Sequence, residues 1–219
     1  MASQSFVSLL LCITAALAEP IITKRSDPLG VDVSSYQGTV DWSSWKSKGV
    51  TFAYIKATEG TTLNTLVRPM LVLFRGGYHF ARPDSSTGAA QASYFLKHGG
   101  GWSADGITLP GALDIEYNPS GSECYGLSAS SMVSWIKSFS DAYHSSTTRN
   151  VIYTTTDWWK SCTGNSASFG SMNPLWIAHP GSSIGTLPAG WSYTTFWQYG
   201  TSDNTDVDKF NGDSSGLER

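Results

Sequence analysis

The sequence predicts an α/β protein, a modified (β/α) barrel of eight strands with fewer than eight helices. Three observations predict it. Apolar, β-rich runs recur at eight places, namely Leu29–Val33, Phe52–Ala57, Gly77–Ala81, Gly111–Glu116, Asn150–Thr154, Pro174–Ala178, Thr194–Tyr199 and Asp206–Phe210. Segments long enough for helices separate the first five, whereas the last three are joined mostly by Gly, Ser and Pro. Nearly every run also ends in a polar side chain, as expected where barrel strands gather their C-terminal ends at one mouth.

Taken in order, Leu29–Val33 carries Asp32 near its end, and Trp42–Lys48 is the first connection of helical length. Phe52–Ala57 follows, with Lys56 and Glu59 at its close. The next connection, Thr61–Arg75, has Pro69 in its middle. Proline removes a backbone donor and clashes with the preceding turn, so an irregular second helix is expected there. Gly77–Ala81 carries Tyr78 and His79, and Ala89–His98 is the helix after it. His79 reads as a hydrogen-bonded core histidine rather than a base. Gly111–Glu116 supplies Asp114 and Glu116, Ser128–His144 is the longest helical segment, and Asn150–Thr154 supplies Tyr153. The last three runs bring Trp176, Gln198 and Asp206. A solvated rim is polar too, but acids and aromatics at nearly every strand end exceed what a rim requires.

The N-terminus reads as a leader. Phe6 to Ala18 is a short apolar core ending in Ala16-Leu17-Ala18, a small-x-small cleavage pattern, although no charged segment precedes it. Residues 1–18 are therefore expected to be a signal peptide, and 19–25, ending in Lys24-Arg25, a pro-peptide with a dibasic site. Residues 26–219 then form a single barrel domain, large enough for its own core. The apolar stretch is too short to span a bilayer and no later segment is apolar enough, so export is expected and membrane anchoring is not. Cys12 leaves with the leader, and Cys124 and Cys162 remain as an even pair expected to form a disulfide. Asn118 and Asn173 are each followed by proline, so N-glycosylation is not expected.

The formal net charge is −3, and no Lys/Arg cluster exists to neutralise phosphates, which excludes nucleic acid as a partner. No His/Cys/Asp/Glu cluster has metal-ligand spacing, and no metal or cofactor is expected. All nine Trp follow the leader. Flat aromatic faces suit the C–H faces of sugars, though most of these rings are expected in the core.

The most telling segment is Gly111-Ala112-Leu113-Asp114-Ile115-Glu116-Tyr117-Asn118. Side chains alternate across a strand, so Asp114 and Glu116 share one face while Leu113 and Ile115 pack the other way. At about 3.3 Å per residue their backbone positions lie roughly 7 Å apart. Two carboxyls at that separation can flank one glycosidic bond. Acids that cap a helix or bind a cation are the alternative, and the acids and aromatics at the other strand ends favour glycan cleavage.

Five motifs then fall in one order: Gly30-Val31-Asp32-Val33-Ser34-Ser35-Tyr36-Gln37-Gly38, Tyr54-Ile55-Lys56-Ala57-Thr58-Glu59-Gly60, Gly77-Tyr78-His79-Phe80-Ala81, Leu113-Asp114-Ile115-Glu116 and Asp206-Val207-Asp208-Lys209-Phe210-Asn211-Gly212. Together they resemble glycoside hydrolase family 25, the CH-type lysozymes, and the tract from Tyr78 to Asn118 is similar to secreted fungal members. The resemblance implies a modified barrel that cleaves the β-1,4 bond after N-acetylmuramic acid in bacterial peptidoglycan; a monomer is expected. It implies Glu116 as general acid, and Asp114 as the group that orients and stabilises the substrate's acetamido group. Asp32 and Asp206 complete an acidic ring expected to raise the pKa of Glu116 by repulsion. Tyr78, Tyr153, Trp176 and Gln198 are expected to bind glycan, with Glu59 in a secondary position. The short Thr61–Arg75 tract departs from the family pattern, as does Asp208, where many bacterial members carry Asn; of Asp206 and Asp208, Asp206 is expected to face the site. A chitin- or chitosan-directed hydrolase and an inactive cell-wall glycan-binding protein are the alternatives.

Overall fold

The computed structural model describes residues 27–64 and 74–218. The expected leader, the pro-peptide and the part of the Thr61–Arg75 connection around Pro69 lie outside the described residues. The strands are β1 (Leu29–Val33), β2 (Val50–Glu59), β3 (Thr62–Leu63), β4 (Phe74–Phe80), β5 (Ala112–Asp114), β6 (Val151–Thr154), β7 (Leu175–Ala178), β8 (Phe196–Ser202) and β9 (Thr205–Phe210). Eight of them close a barrel in the order β1-β9-β8-β7-β6-β5-β4-β2, with β2 pairing back to β1; β3 is a two-residue addition to β2. All eight expected strands are present. Five α-helices accompany them among the described residues, so the barrel has the expected depleted helix count.

The barrel is not wholly parallel. β9 runs antiparallel to both of its neighbours, β8 and β1. The cause is the turn Asp203-Asn204, whose residues have φ of 49° and 56°. A two-residue turn with both positions left-handed joins antiparallel strands, whereas a parallel return requires a crossover of a dozen residues. The reversal matters for function because the mouth of the barrel meets the beginning of β9 rather than its end.

Aromatic rings fill the interior. Phe52 and Tyr54 on β2 reach Phe196 on β8 at ring separations of 5.4 Å each, and Tyr54 reaches Trp176 on β7 at 4.8 Å. β2 does not neighbour β7 or β8, so these contacts cross the barrel. Gly30 makes room for them, since a Cβ there would stand 2.2 Å from the Phe52 ring.

Helices cover the outside. α1 (Trp42–Ser47) buries Trp42 and Trp45 against Val31, Val33 and Ile55. α2 (Gly88–Lys97) and α3 (Ala129–Ser146) are capped by Thr87 and Ser128, whose hydroxyls accept from backbone N–H groups of the first turn. Phe95, Met132, Ile136, Phe139 and Tyr143 then pack over Leu113, Ile115 and Ile152. α4 (Thr156–Thr163), between β6 and β7, is a helix that the strand-and-gap reading did not name. Its signals were local: a Thr155 cap, and Gly164 ending it in the left-handed conformation with φ 65°. α5 (Ser214–Leu217) closes the described chain. The expected Cys124–Cys162 disulfide is present, with a Cα separation of 5.2 Å, and ties the loop after β5 to α4.

Candidate active site

Strand register sets the site. Lys56 on β2 lies level with Tyr78 on β4, Asp114 on β5 with Tyr153 on β6, Tyr153 with Trp176 on β7, and Asp32 on β1 with Asp206 on β9. β5 ends at Asp114, shorter than expected. Yet the Ile115 N–H still donates to the Tyr153 carbonyl at 3.1 Å, so the extended path carries Glu116 onward to the mouth. Leu113 and Ile115 face the helices and are fully buried, which turns Asp114 inward by alternation.

These side chains line one cavity of about 220 Å³, bounded by Asp32, Lys56, Tyr78, Asp114, Glu116, Tyr153, Trp176, Gln198 and Asp206, with Tyr36 and Gln37 at one side. Of the residues expected at the site, Glu59 is not among those bounding the cavity. Its carboxylate instead pairs with Lys56 Nζ at 2.7 Å and Arg82 at 3.5 Å, behind the Lys56 side chain. Asp206 bounds the cavity and accepts from the Thr201 hydroxyl at 2.9 Å. Asp208, two residues deeper on the same face, is fully buried and accepts from Trp176 Nε1 at 2.8 Å. The antiparallel course of β9 explains the difference, because the chain enters the barrel from the mouth and reaches Asp206 first.

A chain of hydrogen bonds holds the floor. The Tyr153 hydroxyl donates to Gln198 Oε1 at 2.9 Å, and Gln198 Nε2 donates to Asp32 Oδ2 at 2.8 Å. The Asp32 and Asp208 carboxyls influence each other's titration. Two adjacent carboxyls are stable together only when one is protonated, and burial favours the proton on Asp208.

Burial dominates the titration of the cluster. Glu116 is pushed up to about 7, first by burial and then by the Asp206 charge, while Lys56 pulls it down. Asp32 is likewise raised to about 7 by burial and by Asp206. Asp114 and Asp208 are raised well above the carboxylate range by burial, Asp114 also by Glu116 and Asp208 also by Asp32. Both acids of the expected ring act on Glu116: Asp206 raises it, and Asp32 and Glu116 repel each other, which adds to the rise of Asp32. Tyr78 and Tyr153 are raised by burial and the surrounding acids, so both phenols stay neutral.

The sequence reading placed Lys56 at a strand end on the mouth but gave it no role in the site. It is buried, faces the acids, and lies 4.6 Å over the Phe80 ring. A lysine in a buried run on the cavity face was the available signal. His79 lies outside the cavity. Its Nδ1 meets the Thr58 hydroxyl at 2.8 Å and its Nε2 meets Gln91 Oε1 at 2.8 Å, and burial lowers it to about 4.

The geometry is that of a closed barrel with two carboxyls on one bond-sized cavity, and known proteins agree with it. The model of the glycosyl hydrolases family 25 matches residues 31–208. The chain is 50% identical over 203 residues to Lysozyme M1 of Streptomyces globisporus, covering 86% of this chain and 69% of that protein. It is 49% identical over 208 residues to the N,O-diacetylmuramidase of Arthroderma benhamiae, covering 91% and 86%. Its structure matches that of a muramidase from Acremonium alcalophilum with a TM-score of 0.83 at 53% identity, covering 87% of this chain and 97% of that one. A match that runs from Val31 in β1 to Asp208 in β9 takes in every strand of the barrel and every acid of the cavity. The chain belongs to glycosyl hydrolase family 25 and is a glycoside hydrolase.

Proposed function

We propose that this hydrolase is a secreted lysozyme that cleaves the β-1,4 bond between N-acetylmuramic acid and N-acetylglucosamine in bacterial peptidoglycan, with assistance from the substrate's acetamido group. The observation that carries the reading is the pair Asp114 and Glu116 on one cavity, the latter held protonated to about 7. The relatives named lysozyme and N,O-diacetylmuramidase support it. Glu116 donates its proton to the leaving oxygen, and the acetamido carbonyl oxygen attacks the anomeric carbon as that bond breaks. Asp114 Oδ1 is buried without a hydrogen-bond donor among the described residues, so it is free to accept the acetamido N–H. A donor arriving there favours the charged form of Asp114, which stabilises the positive charge that develops on the cyclised acetamido group. Water, deprotonated by Glu116, then opens the intermediate. Tyr78, Tyr153 and the Asp32–Gln198 pair hold the sugar, Trp176 walls the cavity, and Asp206 keeps Glu116 protonated. Glu59 serves the site by steadying Lys56.

Secretion is supported by the leader-like N-terminus and by the Cys124–Cys162 disulfide, which persists in oxidising compartments. A monomeric working form is supported by barrel closure, which pairs both sides of the eight strands. The test is mass analysis of soluble products from peptidoglycan of defined composition and from chitin oligomers. Release of fragments with N-acetylmuramic acid at the reducing end is expected. Cleavage of chitin alone would make the protein a chitin-directed hydrolase, and retention on walls without new reducing ends would make it a glycan-binding protein.

A further inference from the structure

The cavity is not the end of the mouth. The 3₁₀ turn Ser35–Gln37 forms a ridge, and its residues Tyr36 and Gln37 line the catalytic cavity on one side. On the other side they line a second depression of about 340 Å³, completed by Thr39, Ser44, Lys48 and the Asp203-Asn204 turn. We propose that this outer depression binds further N-acetylhexosamine units of the glycan strand being cut at Glu116, with the Tyr36 ring stacking on a sugar face. The proposal rests on the lysozyme reading above and names where the rest of that strand lies.

Size is the first reason. The catalytic cavity, about 220 Å³, falls short of the roughly 300–1,000 Å³ usual for small-ligand sites, whereas the outer one falls within it. A polymer bound in the first must leave it, and the ridge is shared by both. The second reason is Tyr36, which is 90% exposed although large and aromatic. The turn beneath it is fixed: Ser34 and Gln37 form a capping box, the Ser35 N–H donates to Asn64 Oδ1 at 3.3 Å, and Gln37 Nε2 donates to the Asn204 carbonyl at 3.2 Å. A ring on a rigid base loses little freedom when a ligand stacks on it. The third reason is charge. Lys48 is paired with Asp203 and lies 4.5 Å over the Trp45 ring, while Asp41 accepts from Ser43 and Ser44. Asp41 keeps its negative charge while Lys48 is paired, so the lining offers hydroxyl and amide groups and no unpaired cation, which suits a neutral sugar rather than the carboxylates of a peptide stem.

The test uses peptide-free glycan strands of increasing length. With the wild type, kcat/KM should rise with length by about tenfold, the scale of one aromatic stacking contact. Thr39→Trp fills the outer depression from an exposed position that does not line the catalytic cavity. It should cleave the shortest wild-type substrate at the normal rate and lose the gain with length. Tyr36→Ala should lose that gain as well. A Thr39→Trp variant that keeps the full gain overturns the proposal, as does a gain seen only on strands that carry peptide stems. Cleavage of every length at one rate overturns it while leaving the lysozyme reading intact. Failure to cleave any strand removes both.

Discussion

Glu116 stands between opposed charges, since burial and Asp206 raise its pKa to about 7 while Lys56 lowers it. Turnover requires the protonated form, so the alkaline limb of the rate profile reports the loss of that proton. Removing the repelling charge as Asp206→Asn should move the limb to lower pH, and removing the attracting one as Lys56→Gln should move it to higher pH, each by about one pH unit. Asp32→Asn should move it in the same direction but less than Asp206→Asn, because Asp32 is raised to about 7 as well and is only partly ionised where Glu116 loses its proton. Equal shifts for the two aspartates, or a Lys56→Gln shift downward, would contradict the arrangement. A simpler variant tests the role itself: Glu116→Gln should lower turnover by at least about 10²-fold while wall binding persists. Near-normal turnover would assign the acid elsewhere. At this scale the sequence exposed the acids well, because each falls at or beside one edge of an apolar run. It did not expose the effect of Lys56 on Glu116 or the partnership of Asp32 with Asp208, since both depend on which strands become neighbours and at what depth.

Among elements, the strands were legible for a physical reason. Interior and helix-facing positions are both apolar in a barrel, so each strand reads as a short continuous run bounded by Gly, Pro or polar residues. The orientation of β9 was not legible from its own residues, because an apolar run has the same pattern in either direction. The information lay in Asp203-Asn204, two residues that tolerate the left-handed conformation. α4 was missed for the opposite reason: at eight residues it is too short to establish a periodicity, and two adjacent tryptophans, Trp158 and Trp159, are both buried. Its anchorage is covalent as well as packed. The disulfide to Cys124 restrains a loop of sequence separation 38, worth about 4 kcal/mol in the chain-entropy account. Cys124→Ser with Cys162→Ser should therefore lower the unfolding free energy by about that amount, read from denaturant midpoints at unchanged slope. Non-reducing peptide mapping of the native protein should recover one cross-linked pair. Two alkylatable thiols, or a variant as stable as its parent, would count against it.

For the whole molecule, placing acids in the mouth and core has a thermodynamic cost that depends on pH. Asp32 and Glu116 rise from 3.8 and 4.5 to about 7, and Asp114 and Asp208 rise as well, all chiefly through burial. A carboxyl with a raised folded pKa makes the native state hold more protons than the unfolded one between the two values, so stability falls as pH rises through that window. His79 acts against this. Lowered from 6.5 to about 4, it stays neutral when folded, so its contribution is lost as pH falls through the same interval. Four carboxyls oppose one imidazole, and above 6.5 the imidazole no longer changes in either state. Below about 4 the exposed carboxylates Asp41 and Asp105, both lowered by local hydrogen bonds, begin to lose theirs. Stability should therefore peak on the acidic side, between about pH 4 and 6, and decline by several kcal/mol toward about pH 8, since each tenfold change in a group's proton affinity on folding is worth about 1.36 kcal/mol. Urea unfolding across that range should show the decline, and Asp208→Asn, which removes one buried proton site, should flatten it. A protein whose stability climbs from about pH 6.5 to 8 would show that these acids are not buried together in the native barrel. The protonation that stabilises the fold in acid also supplies Glu116 with its catalytic proton, so activity and stability should decline along one limb.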